Sequence, residues 1–146
     1  MRVVIQRVKE AQVKVGSQVV GQIAQGLLIF LGVARSDSRT SADYLVKKVT
    51  ELRIFEDAQG KMNVSAREAH AQFLVVSQFT LYGNCDKGRR PSFDQAADGA
   101  QGEELYNYFV EQLKAVVGEV QTGLFRAMMD VSLVNDGPVT LIIDSK

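Results

Sequence analysis

The sequence predicts an α+β fold, a single-domain barrel-like β-sheet with two main packed helices over residues 1–146. Three observations lead there. Short segments rich in β-branched residues, or alternating apolar with polar residues, recur from one end of the chain to the other. Helical periodicity occurs in only two places. The strands and helices do not alternate one for one, which argues against simple βαβ winding.

Taken in order, "RVVIQRV" (residues 2–8) reads as a strand. "AQVKVGSQVVGQI" alternates around Gly16-Ser17 and reads as a hairpin with one half-exposed face. "GLLIFLGVA", Gly26 to Ala34, is short and continuously apolar, as a strand buried on both faces would be. A first helix is expected from Thr40, with Asp43 at the capping-box spacing and Ala42, Leu45, Val46, Val49 and Leu52 on one face. "RIFED" is a strand, "AQGK" a turn, and "QFLVVSQFTLY" one long strand that turns polar toward its end. Residues 84–99 lack periodicity and form a long loop, a length usually kept for function. The second helix runs from about Glu103 to Val117, with Leu105, Tyr108, Phe109, Leu113 and Val116 on one face. "EVQTGLF" and "MMDVSLV" are strand-like, "NDG" signals a hairpin, and "PVTLIID" is the last strand.

Composition excludes several classes. Apolar residues make up 46% of the chain, charged residues 23%, and the formal net charge is zero. Such a chain buries a core without metals or disulfides. No global field draws it to nucleic acid or membrane, so any RNA contact must come from a local patch. A single cysteine, Cys85, rules out an intramolecular disulfide and fits a reducing, cytoplasmic setting. It reads as an incidental thiol. One histidine, His70, and one cysteine leave too few ligands for a dedicated zinc site, so neither metal nor cofactor is expected. No apolar run approaches the ~20 residues of a membrane span. "MRVVIQRV" carries charges inside its apolar stretch, unlike a signal peptide.

Three stretches carry chemistry. "SQFTLYG" places Ser77, Gln78 and Thr80 where a buried strand is ending. Hydroxyl residues there commonly satisfy strand-end backbone groups; the other reading is a hydrolytic site. A threonine nucleophile needs an activating base, and one histidine leaves almost no material for a Ser-His-Asp arrangement. A hydrolase built here must lean on backbone donors and on the substrate's own groups. "NDGPVT" puts Pro138 directly after Gly137. About 5–6% of X–Pro bonds are cis, and a trans turn is the commoner meaning. A cis bond would turn two carbonyls to one side, hold a substrate ammonium, and wall off one side of its α-carbon. That arrangement would discriminate mirror-image amino acids. "DKGRRPSF" clusters Lys87, Arg89 and Arg90 beside Phe93, either a solvated charged loop or a phosphate contact for RNA with an aromatic ring nearby. Arg2, Arg7, Lys47 and Lys48 are candidates to extend that patch.

Together these residues resemble the D-aminoacyl-tRNA deacylases. The resemblance runs from "MRVVIQRV" through "GLLIFLGV", "SQFTLYG" and "KGRRPSF" to "NDGPVT", with both signature motifs intact and in order. It implies hydrolysis of the ester joining a D-amino acid to the terminal ribose of tRNA, and removal of achiral glycine as well. It implies a homodimer with sites at the subunit interface. Ser77, Gln78, Phe79 and Thr80 would come from one subunit, and Gly137 and Pro138, joined by a cis bond, from the other. Backbone N–H groups around Phe79 and Thr80 would then stabilise the oxyanion, the ribose 2′-hydroxyl would assist water, and Arg7 would brace the Gly137-Pro138 turn through a carbonyl. The alternative classes are an RNA-binding module without catalysis, using residues 86–93, and a purely structural interaction domain.

Overall fold

The computed structural model describes residues 1–146. Its first strand organises the rest. β1 (Arg2–Val15) is long and bent, and forms a hairpin with β2 (Gln18–Ile23) across Gly16, whose φ of 59° suits a residue without a Cβ. β3 (Gly26–Gly32) lies antiparallel to the first half of β1, and β2 to its second half. The chain then forms helix α1 (Arg39–Glu51) and a small antiparallel pair, β4 (Arg53–Glu56) with β5 (Met62–Ser65). β6 (Gln72–Ser77) returns parallel to β3. A 3-10 turn (Phe79–Tyr82), helix α2 (Gly99–Val117), the two-residue β7 (Gln121–Thr122) and the long β8 (Asp130–Asp144) follow.

The main sheet runs β2-β1-β3-β6-β7, with β8 on the other edge of β1. It curls until β7 approaches β2. A Cβ on Gly21 would come within 2.5 Å of the Thr122 carbonyl oxygen, so only glycine allows the two backbones so close. The result is a nearly closed mixed barrel. β3 and β6 carry no polar face because each is covered on both sides. Leu27, Ile29, Leu31, Phe73 and Val75 face the helices, against Leu45 and Val49 of α1 and Leu105, Phe109 and Leu113 of α2. Leu28, Leu74 and Val76 face a second, smaller core with Val8, Ala11, Val13 and Ile23.

Several expected boundaries move. α1 begins before Thr40, capped by Ser38, whose backbone N–H donates to Ser41 Oγ at 3.4 Å. α2 starts at Gly99 rather than Glu103, because Asp98 Oδ1 accepts from the N–H groups of Ala100 and Gln101 at 3.0 and 2.9 Å. Its buried face uses Tyr106 and Val110, while Val116 is exposed. The strand expected through Tyr82 stops at Ser77. β5 has no counterpart among the predicted elements.

The largest difference lies in β8. No hairpin forms at Asn135–Gly137. Both halves of β8 pair with β1, and the register jumps from Gln6↔Thr140 to Val8↔Asn135. Asp136, Gly137, Pro138 and Val139 therefore stand out as a bulge opposite Arg7. A long partner strand outcompetes the local turn, and Pro138, lacking an N–H, sits where no ladder bond is needed.

Candidate active site at the end of β6

β3 carries β6 to its end. Ser77 pairs with Leu31, and the Gln78 N–H donates to the Leu31 carbonyl at 2.8 Å. The chain then tightens. The Leu81 N–H donates to the Gln78 carbonyl at 3.2 Å, and the Gly83 N–H to that of Thr80 at 2.9 Å. As the first residues of the turn, Phe79 and Thr80 have no carbonyl behind them within it, and neither amide donates elsewhere in the chain. The Gln78 side-chain amide donates to Thr80 Oγ1 and fixes that hydroxyl. From Ser77 to Leu81 no side chain titrates. The only histidine, His70, is exposed in the turn before β6.

The cationic loop is docked on this turn. Asn84 and Ser92 exchange backbone hydrogen bonds of 2.7 and 2.9 Å, closing a loop that displays Lys87, Arg89 and Arg90 to solvent. None of the three forms an ion pair within the chain. Just past the loop, the Phe93 ring meets that of Phe79 edge-on at 5.0 Å. Gly83 clears the way, since a Cβ there would lie 3.0 Å from Phe93 Cε1. Phe79 is still 59% exposed, a large apolar ring left open beside Thr80.

Arg2 and Arg7, unlike the three loop cations, are each paired within the chain, Arg2 in a partly exposed ion pair and Arg7 in a buried one. Arg2 grips Asp144 through Nε at 2.7 Å and Nη2 at 3.1 Å, donates to the Leu81 carbonyl at 3.1 Å, and lies over the Tyr82 ring. Its hydrogen bonds hold the Asp144 carboxyl below the usual carboxylate range. Burial, with Asp37 and Asp144 nearby, pushes the Tyr82 hydroxyl up to about 12. Lys47 and Lys48 lie exposed on α1.

Arg7 is only 4% exposed. Its Nε donates to the Asp136 carbonyl at 3.2 Å and lies 3.3 Å from Asp136 Oδ2, and its Nη1 donates to the Ile54 carbonyl. Glu56 approaches Nη2 at 3.9 Å. The Gly137-Pro138 peptide bond is cis, and Gly137 has φ 122°. A Cβ on Gly137 would lie 3.0 Å from the Val139 nitrogen and 3.3 Å from Arg7 Nη2.

The two motifs occupy different flanks. The Ser77–Thr80 turn is reached from one edge of β1 through β3 and β6, and the Asp136–Val139 bulge lies on the other edge. No hydrogen bond joins them within the chain. β8 has no strand on its outer side, where Ile142 is 68% exposed. Asp136 and the Phe79–Phe93 pairing escaped sequence reasoning, as did Phe125 and Arg126 after β7. No cluster of three or more His, Cys, Asp or Glu side chains is arranged to hold a metal ion, and no helix is long and apolar enough to cross a membrane.

Comparison with known proteins agrees with this fold. A family model described as D-Tyr-tRNA(Tyr) deacylase matches residues 4–144. A D-aminoacyl-tRNA deacylase of Symbiobacterium thermophilum is 56% identical over all of this chain and 97% of its own. One from Desulfatibacillum aliphaticivorans is 57% identical over the whole of both chains. Among solved structures, the c-Myc DNA Unwinding Element Binding Protein superposes with a TM-score of 0.94 at 38% identity, covering 100% of this chain and 99% of the other. A probable eukaryotic D-amino acid tRNA deacylase shares the fold, with a TM-score of 0.86 at 19% identity over 98% of each chain. With its full length matched by these relatives, the chain belongs to the D-aminoacyl-tRNA deacylase family of hydrolases.

Proposed function

We propose that this chain hydrolyses the ester of D-aminoacyl-tRNA in the cytoplasm, as a homodimer whose sites combine Ser77–Thr80 of one subunit with Gly137-Pro138 of the other. Water attacks the ester carbonyl carbon, and negative charge collects on the carbonyl oxygen. The bond from that carbon to the ribose oxygen then breaks. The ribose oxygen takes up a proton, leaving free D-amino acid and tRNA. The observation that carries this reading is the pair of unspent amides at Phe79 and Thr80, in a stretch from Ser77 to Leu81 without any titratable side chain. Backbone donors fixed where charge develops require no protonated residue, and losing one costs ~10²–10³ in rate in other hydrolases. The activated aminoacyl ester needs little acid catalysis, and the ribose 2′-hydroxyl beside it positions the water. Thr80, its hydroxyl held by Gln78, orients substrate.

Selection works by exclusion. The carbonyls of Gly137 and Pro138 hold the ammonium, and the bulge leaves no room for a side chain on the L side. Pocket contacts separate side chains by only ~1–3 kcal/mol per methylene. Gripping the groups common to all amino acids therefore accepts many D side chains while rejecting L ones. Glycine has nothing to reject and is also released. Lys87, Arg89 and Arg90 hold the RNA backbone. The separation of the two motifs to opposite sides of β1, and the open outer edge of β8, support assembly from two chains. Incubating the purified protein with D-tyrosyl-tRNA and following free D-tyrosine tests the reaction. Binding of the tRNA without release would leave an RNA-binding module instead.

A further inference from the structure

Arg126 has an unusual backbone for its type. It and His70 are the two non-glycine residues with left-handed φ, at 62° and 50°. That region is disfavoured for a residue with a long side chain. The Arg126 side chain repays nothing in polar bonds to the fold, since it takes part in no ion pair in the chain. Yet the guanidinium is seated. It fills the notch above Gly99, where any Cβ would fall 1.3 Å from Nη2. Its Cζ lies 5.8 Å from the Phe125 ring centre. Phe125 packs at 5.6 Å on Tyr106, whose hydroxyl donates to the Val75 carbonyl at 3.0 Å. Gly99 opens α2, the end where a helix favours negative charge. Asp98 already spends its carboxylate on two amides there. The cation therefore gains little from the helix it leans on.

Its place in the fold supplies a reason. β7 runs parallel to β6, pairing Gln121 with Leu74 and Thr122 with Val75, and the Gly123 N–H donates to the Val75 carbonyl at 3.0 Å. The residues that follow leave the sheet at the same end as Ser77–Thr80. Lys87, Arg89 and Arg90 stand on the loop that continues from that turn. We infer that Arg126 contacts a phosphate of the single-stranded acceptor end of the tRNA, bringing a second cationic element to the reacting ester besides the 87–90 loop. This assignment rests on the deacylase reading. A guanidinium offers a planar fork of N–H donors that matches phosphate oxygens two at a time.

The experiment measures binding of uncharged tRNA against potassium chloride concentration, and KM and kcat for D-tyrosyl-tRNA, in the full-length protein and three variants. Arg126→Gly suits the left-handed backbone and keeps the fold. It is expected to lower the slope of log K against log salt by about 0.7, the value for one single-strand phosphate. KM is expected to rise about ten-fold, as for loss of one charge-assisted bond, with the loss falling on KM rather than kcat. Arg126→Lys should keep the slope while recovering only part of the affinity. Gly99→Ala needs only the mobile end of Arg126 to move, so it should raise KM in a folded protein that still carries the charge. Wild-type slope and KM in Arg126→Gly would overturn the contact. A wild-type protein that binds tRNA with the Arg126-dependent slope but releases no D-tyrosine would overturn the deacylase reading and leave the contact standing.

Discussion

Arg7 Nε lies 3.2 Å from the carbonyl oxygen of Asp136, the residue immediately before Gly137-Pro138. The bulge of β8 is thus tied to the strand it departs from by a buried guanidinium, which also holds the Ile54 carbonyl of β4. Asp136 and Glu56 are partly exposed, so removing the arginine strands two carbonyls more than it strands charge. Arg7→Met is expected to cost ~1–3 kcal/mol in urea unfolding, the penalty for unpaired buried polar groups. It should also lower the D-tyrosyl-tRNA rate by about 10², the scale of a ~1 Å misplacement. A stable variant with full activity would show that the bulge keeps its shape unaided.

A site shared between subunits has a distinctive genetic behaviour. Thr80→Ala removes the hydroxyl held by Gln78, and Gly137→Ala forces a Cβ to within 3.0 Å of the Val139 nitrogen at a φ of 122°. Each variant alone should be weak. In a mixed dimer one site collects both lesions and the other none. Co-refolding equal amounts should restore roughly a quarter of wild-type activity, because half of randomly paired two-fold dimers are mixed and each carries one intact site. No gain on mixing would place both motifs in one chain's site or remove the dimer from the mechanism.

Thr80→Ala also separates two mechanisms. With Thr80 only orienting substrate through the Gln78–Thr80 hydrogen bond, the variant should keep measurable single-turnover release, reduced by roughly 10–100-fold. Loss to the uncatalysed rate, together with a trapped acyl-enzyme in the wild type, would make the hydroxyl a covalent nucleophile.

Tyr106 titrates with the fold. Burial pushes its hydroxyl up from 10.0 to about 12. A group whose folded value is raised gives its full contribution below its unfolded value and loses it as pH rises through the folded value. Stability should therefore fall between pH 10 and 12. Tyr106→Phe is expected to shrink that alkaline loss but not remove it, since Tyr82 is raised to a similar value. At neutral pH it should cost only about 1 kcal/mol, because the Val75 carbonyl keeps the Gly123 N–H as a donor. Urea unfolding of both proteins at neutral and alkaline pH checks the difference.

What could be read in the sequence follows what is local. The buried β3, the β1–β2 hairpin and the inner face of α1 announce themselves through apolar spacing, while in α2 the spacing finds Leu105, Phe109 and Leu113 but misses Tyr106 and Val110. The first turns of the helices do not, because they are exposed and set by caps such as Asp98. "NDG" carries a sound turn signal, but β1 runs past it and pairs with both halves of β8, so the turn becomes a bulge. Ser77–Thr80 stands out as a polar strand end and Gly137-Pro138 as a stiff dipeptide. The seat of Arg126 was invisible, since it depends on Gly99, far off in sequence, and on a two-residue strand too short to show a pattern.

The central claim is that this fold separates mirror images at the α-carbon. Release of tyrosine from D-tyrosyl-tRNA and L-tyrosyl-tRNA, measured side by side with the purified protein, tests it most directly. Fast release from the D ester with the L ester untouched is the expected result. Equal release from both would leave an esterase and contradict the role given to Gly137-Pro138.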